Sequence, residues 1–187
     1  MVLKIGVESV GNYYLTLMGP DRTLNQLHAE IAQRVTAITR EHPDWPCRKG
    51  CGNCCRQLAR IPQLTQAEWM LLQRGLMALP EAELAAVARG VASLAVAVPA
   101  PVTCPLLDLE RDACRVYAQR PVACRTYGFY VQRDKGLYCQ DILQQVERGE
   151  RKDVVWGNQD GIDRQLASLG DIRALTDWFQ EWMACSR

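Results

Sequence analysis

Apolar residues recur at helical spacing along much of the chain. Leu24, Leu27, Ile31, Val35 and Ile38 fall three or four residues apart, which predicts an amphipathic helix over about 21–41. Thr23 and Gln26 have capping-box spacing near its start, and Pro43 and Pro46 end it. A second helix is predicted over 65–79, opened by another capping box, Thr65 and Glu68. Pro80, Glu81 and Glu83 suit the first turn of a third, alanine-rich helix that runs to about Val98. Pro99, Pro101 and Pro105 then break regular structure, and 104–138 reads as short helical turns and loops. A helix start follows at 139–147, then a polar, turn-rich stretch over 149–161. Gly170 divides two closing helices, about 162–169 and 171–185. The last carries Leu175, Trp178, Phe179, Trp182 and Met183 on one face, an aromatic stripe of the kind that serves a core. Residues 1–19 fit either two short strands or a loosely packed arm. The pattern predicts a mainly α-helical single domain over 1–187. Irregular cysteine-rich loops in 45–147 pack on flanking helices at about 21–41 and 162–185.

Composition adds one anomaly. The 187 residues include 22 basic and 21 acidic ones, a net charge of +1, so bulk charge gives no reason to expect nucleic acid or a membrane surface as partner. Nine cysteines stand out. An exported disulfide protein would need a signal segment, but Gly6, Glu8, Ser9, Gly11 and Asn12 interrupt the start. The apolar run Val91–Val98 is too short to span a bilayer. The expectation is a reducing cytoplasm, where clustered cysteines bind metal or do redox chemistry.

The strongest signal is Cys47-x3-Cys51-x2-Cys54-Cys55. A tight turn can aim two sulfurs at one ion, about 2.3 Å from each. Gly52 and Asn53 both tolerate the positive φ that such a knuckle often uses. Side chains of adjacent Cys54 and Cys55 diverge in most conformations, so the knuckle either supplies two sites or wraps one multinuclear cluster. Cys104, Cys114, Cys124 and Cys139 follow at wide spacings and would complete two four-sulfur sites by number. Cys185 is the odd one out and reads as structural.

The windows 45–60 and 114–127 hold Arg48, Lys49, Arg56, Arg60, Arg115, Arg120 and Arg125 and no acid. Such cations would offset the charge of thiolates around a divalent ion; the rival reading is a basic surface for nucleic acid or phosphate. Pro121 favours a helix first turn whose free N–H groups would point at a thiolate. Tyr117, Tyr127 and Tyr130 read equally as walls against water or as ordinary packing. Asp108, Glu110 and Asp112 read as a solvated acidic patch. His28 and His42 read as ordinary packing or surface residues.

These residues carry a resemblance. The knuckle, Cys104-Pro-Leu-Leu-Asp, and Cys114-Arg-Val-Tyr-Ala-Gln-Arg-Pro-Val-Ala-Cys124-Arg resemble the YkgJ-like cysteine-cluster family, which bears a CxxCxxCC signature. The resemblance spans about 47–139. It implies chelation of zinc or iron, with Cys47, Cys51, Cys54, Cys55, Cys104, Cys114 and Cys124 as ligands and Cys139 matching a later family cysteine. The first spacing is three residues where the signature has two. The family also includes flagellin lysine methylases, but nothing here supplies an S-adenosylmethionine site.

All-thiolate ligation selects zinc, iron–sulfur clusters or Cu(I). The leading expectation is a metal-binding protein for zinc or iron, with an iron–sulfur cluster among the options. The alternatives are an iron–sulfur redox enzyme or its accessory, and an interaction module whose zinc is purely structural. No P-loop, dinucleotide fingerprint, GxSxG or HExxH motif is present, so the balance leans away from an enzyme.

Overall fold

A computed structural model describes residues 20–96, 101–136 and 139–185. The expectations for residues 1–19, for the end of the third helix at 97–98 and for Tyr138 lie outside the described residues.

Helix α1 (Pro20–Glu41) buries Leu24, Leu27, Ile31 and Ile38, the stripe that the pattern predicts. It begins at Pro20, so Thr23 lies inside the first turn rather than capping it. The one-turn helix α2 (Asn53–Arg56) follows, then strand β1 (Gln63–Thr65) and helix α3 (Gln66–Met77). Helix α3 opens on the complete capping box of Thr65 and Glu68. Helix α4 spans Glu81–Val96.

The cysteine-rich region then makes a small hairpin, β2 (Leu107–Asp108) with β3 (Ala113–Cys114). A 3-10 turn at Tyr117–Gln119, helix α5 (Val122–Thr126) and strand β4 (Tyr130–Val131) come next. Helix α6 (Gln140–Glu147), strand β5 (Gly157–Asn158), helix α7 (Gln159–Ala167), strand β6 (Ile172–Ala174) and helix α8 (Leu175–Cys185) complete the order. The protein is mainly α-helical, with irregular cysteine loops between helices. Among the described residues, no helix is long and apolar enough to cross a membrane.

Two hydrophobic clusters form the interior. The first gathers Leu24, Ile31 and Ile38 of α1 around Trp45, Val122, Phe129, Ile142 and Ile162. The second joins Leu72 and Leu76 of α3 with Val87, Val91, Leu106, Val116, Leu175, Trp178 and Phe179. Helix α3 serves both, with Ala67 in the first cluster and Trp69, Leu72 and Leu76 in the second. Each fully buried leucine contributes roughly 1.5–3 kcal/mol of transfer free energy.

The closing elements differ from the sequence reading. Helix α8 starts at Leu175 rather than 171, because residues 172–174 pair antiparallel with 63–65 (Leu64 opposite Arg173). The Leu175 N–H then donates to Pro62 O at 2.9 Å. Helix α7 starts at Gln159, inside the stretch read as turn, because Asn158 Oδ1 accepts the Gly161 N–H and caps it. The aromatic face of α8 is core, as expected. Trp178 and Phe179 are buried against Trp69, and the Trp178 indole N–H donates to Leu64 O at 3.0 Å. Cys185 is exposed and fills no core position.

Candidate metal centre

The knuckle is built by two consecutive turns. The Cys51 N–H donates to Arg48 O at 3.0 Å, and the Cys55 and Arg56 N–H groups both donate to Gly52 O at 3.0 Å. The second turn is α2, which carries Cys54 and Cys55 at successive helical positions. Their sulfurs lie 3.9 Å apart, in contact and unbonded. A Cβ at Gly52 would stand 2.0 Å from Asp112 Oδ1, so a larger residue there requires the Asp112 side chain to move. Asp112 is held over the knuckle by Arg56, whose Nη2 and Nε donate to Oδ1 at 2.7 and 3.2 Å.

The widely spaced cysteines reach the knuckle through backbone pairing. Leu58 and Val102 exchange N–H···O bonds of 2.9 and 3.0 Å, which lays 102–104 beside 55–58. The Cys104 N–H then donates to Cys55 O at 2.7 Å. Cys114 arrives on β3, opposite Leu107, in a hairpin whose turn is closed by Asp108 Oδ1 accepting the Glu110 and Arg111 N–H groups. Cys124 sits on α5. Glu68 anchors that helix: its carboxylate, 2 % exposed, accepts the Val122 N–H at 2.8 Å through Oε1 and the Thr65 N–H and hydroxyl through Oε2, both at 2.9 Å. Cys47 is placed by a contact of its sulfur with Tyr127 O at 3.4 Å, and Gly128, at φ +80°, lets the chain turn beside it, where an added Cβ would stand 3.2 Å from the Cys47 Cβ.

Cys47, Cys51, Cys54, Cys55, Cys104, Cys114 and Cys124 therefore line one cavity, with Arg120, Tyr117 and Tyr127 in its wall. Cys139 stands outside that wall, as the residue before α6, on an element tied to the knuckle by Asn53 Nδ2 donating to Asp141 Oδ2 at 2.6 Å. The cavity measures about 50 Å³. That volume admits a few water-sized atoms, against the roughly 300–1,000 Å³ of an organic-ligand pocket. All nine cysteines are free thiols. Among the described residues no three His, Cys, Asp or Glu side chains already stand in an ion-binding arrangement, so the sulfurs share a cavity without meeting at one point.

The local electrostatics oppose bare thiolates. Burial, then the neighbouring Cys51, Cys54 and Cys139, push the Cys47 thiol up to about 12. Contact with the Cys104 thiol, then burial, push Cys55 up to about 12. Cys54 is raised by its contact with Cys55 and by burial, and Cys124 by burial and by Cys55 and Cys114. Burial raises Cys114 and Cys139 as well. Arg120 acts the other way on Cys47, Cys54, Cys114 and Cys124. Its guanidinium lies 3.5 Å over the Tyr117 ring, with Nε donating to Tyr117 O and Nη1 to Cys124 O. The donor set fits a soft or borderline cation: mostly half-buried thiols that exchange their protons for the ion, beside one fixed positive charge.

Several expectations change. The first N–H of α5 does not point at a thiolate; Val122 gives it to Glu68. The acids are not simply a solvated patch, since Asp108 is buried and Asp112 borders the cavity. The basic windows meet carboxylates from elsewhere: Arg56 pairs with Asp112, and Arg115 with Glu83 and Asp108. Tyr130 packs in the first cluster, away from the cysteine cavity. His28 is partly buried, and burial with the nearby Arg125 lowers its imidazole to about 4; it does not border the cavity. His42 is buried beside Arg151. The roles of Glu68 and Asp112 escaped the sequence reading, although the capping-box spacing marks Glu68 as a residue with a local task.

No curated protein and no solved structure matches the chain. The family model that does match is CxxCxxCC, described as "Putative zinc- or iron-chelating domain", over residues 46–153. That span is more than half of the 187 residues and contains all eight clustered cysteines. The chain belongs to the CxxCxxCC family.

Proposed function

We propose that the protein binds zinc or iron through the thiolates of Cys47, Cys51, Cys54, Cys55, Cys104, Cys114, Cys124 and Cys139. The observation that carries this reading is the convergence of seven of these cysteines, drawn from positions 47 to 124, on one small cavity. The family description supports the choice of metals. A bound ion would supply the positive charge that buried thiolates otherwise lack and would cross-link α2, the β2–β3 hairpin and α5. The cavity volume favours an ion or a small cluster over an organic substrate, so we place the protein among metal-binding proteins rather than redox enzymes with a substrate pocket. The free thiols accord with a reducing compartment such as the cytoplasm.

Nucleic acid is not the favoured partner, because the basic residues near the cysteines have intramolecular tasks. Arg56 and Arg115 pair with carboxylates, and Arg125 donates to the carbonyls of Arg120 and Ala118. The test is metal content with stability. Protein prepared without oxygen should carry zinc or iron, and Cys51→Ser or Cys54→Ser should lower metal content and thermal stability together. Full metal content in both variants would remove these residues from the ligand set.

A further inference from the structure

Eight cysteines suffice for two closed four-thiolate sites, and what each thiol packs against indicates how they divide. Cys47 and Cys139 pack on the first hydrophobic cluster; Cys55, Cys104 and Cys114 pack on the second. The backbone follows the same division. Cys104 is bonded to Cys55 through its N–H, and Cys114 comes from the hairpin that directly follows Cys104. On the other side, the Asn53–Asp141 bond joins the knuckle to the start of α6, where Cys139 stands.

Neighbouring thiols follow this grouping, with Cys54 at the boundary because it also acts on Cys114 and Cys124. The sulfurs that act most on Cys47 are Cys51, Cys54 and Cys139, and Cys51 also acts on Cys139. Cys139, Cys54 and Cys47 are the sulfurs that act most on the Tyr127 phenol. Cys55 meets Cys104 and Cys114, and Cys124 feels Cys55 and Cys114 ahead of Cys54. The helical turn α2 is the divide: successive residues point about 100° apart around a helix axis, so Cys54 and Cys55 turn toward different sets.

We infer that the centre is two adjoining four-cysteine sites, Cys47, Cys51, Cys54 and Cys139 in one and Cys55, Cys104, Cys114 and Cys124 in the other, meeting at the Cys54–Cys55 contact. The inference rests on the reading that these thiols bind metal. Arg120 lies at the seam, where it acts on Cys47 and Cys54 of one set and on Cys114 and Cys124 of the other. A divalent ion with four thiolates leaves a net negative site, and one guanidinium at the seam offsets part of that charge in both.

The test uses the full chain, reduced, loaded with zinc, challenged with a chelator and then weighed intact by native mass spectrometry. Two sulfurs removed from one set leave the other set whole; one sulfur removed from each set leaves neither whole. The wild type should retain two zinc ions per chain. Cys104→Ser/Cys114→Ser and Cys51→Ser/Cys139→Ser should each retain one, and Cys114→Ser/Cys139→Ser should retain none. Far-UV circular dichroism checks that each variant is folded, and Cys47→Ser/Cys51→Ser serves as a second pair from the first set. A folded wild type that takes up no zinc, and carries no iron as isolated, defeats the metal-binding reading itself. If zinc binds but the wild type retains one ion, or same-set and cross-set pairs lose zinc alike, the division into two separate four-cysteine sites is wrong.

Discussion

Replacing Glu68 by alanine removes a buried carboxylate on which three donors depend. The Thr65 N–H and hydroxyl reach Oε2 at 2.9 Å, and the Val122 N–H reaches Oε1 at 2.8 Å from a residue 54 positions away. At 2 % exposure, water has little access to replace the lost acceptor. Three orphaned donors at about 1–3 kcal/mol each would sum to roughly 3–9 kcal/mol. Part of this is recovered, because the wild-type carboxylate itself bears a desolvation penalty of several kcal/mol. The expected net loss for Glu68→Ala is about 3–4 kcal/mol, or on the order of 10 °C in Tm for a chain of this size. Glu68→Gln keeps one carbonyl acceptor but turns an NH2 group toward donors, so about 2 kcal/mol is expected. Urea denaturation followed by circular dichroism on zinc-loaded, reduced protein measures both. Because Val122 lies two residues before Cys124, Glu68→Ala should also speed zinc loss to a chelator. A loss below about 1 kcal/mol, or a Gln variant as damaged as the Ala variant, would refute the pinning role given to this carboxylate.

Gly52→Ala places a methyl group against Asp112 and should destabilise the protein by about 1–3 kcal/mol, while adding Asp112→Ala to the same chain should restore most of the loss; a double variant as unstable as Gly52→Ala alone would contradict the packing argument. Metal-free, reduced protein should lose stability in alkali. The folded Cys47 and Cys55 thiols stand at about 12 against an ordinary 9.0, so the folded state holds protons that the unfolded chain has given up; this contribution is intact below pH 9 and disappears as the pH rises toward 12. Urea midpoints at pH 8 and pH 11 check this, and equal midpoints would count against buried, protonated thiols. Zinc affinity should rise from pH 6 to pH 8, with proton release on binding measured in weakly buffered solution.

The long helices were legible because their signals are local. The α1 stripe and the Thr65–Glu68 capping box each sit within one or a few turns of chain. The β1–β6 pairing joins residues more than a hundred positions apart, and the three-residue segments are too short to carry a strand period. The same contrast runs through the site. Short spacing marks the knuckle, whereas nothing near Val102 or Cys114 announces the Leu58–Val102 bridge or the hairpin that brings Cys104 and Cys114 to it. The destination of the Val122 N–H was misread because its acceptor, Glu68, already had a sufficient local role as a cap. Charge windows misled in a related way: Arg56 and Arg115 have no acid within their windows, yet folding delivers Asp112, Glu83 and Asp108.

Elemental analysis of oxygen-free preparations, comparing the native chain with its Cys51→Ser and Cys54→Ser variants, decides whether these thiols hold a metal. Zinc or iron is expected in stoichiometric amount in the native protein, with a clear deficit in each variant and a matching fall in Tm. Native protein free of both metals, or variants that carry the full native complement, would contradict metal binding by these thiols.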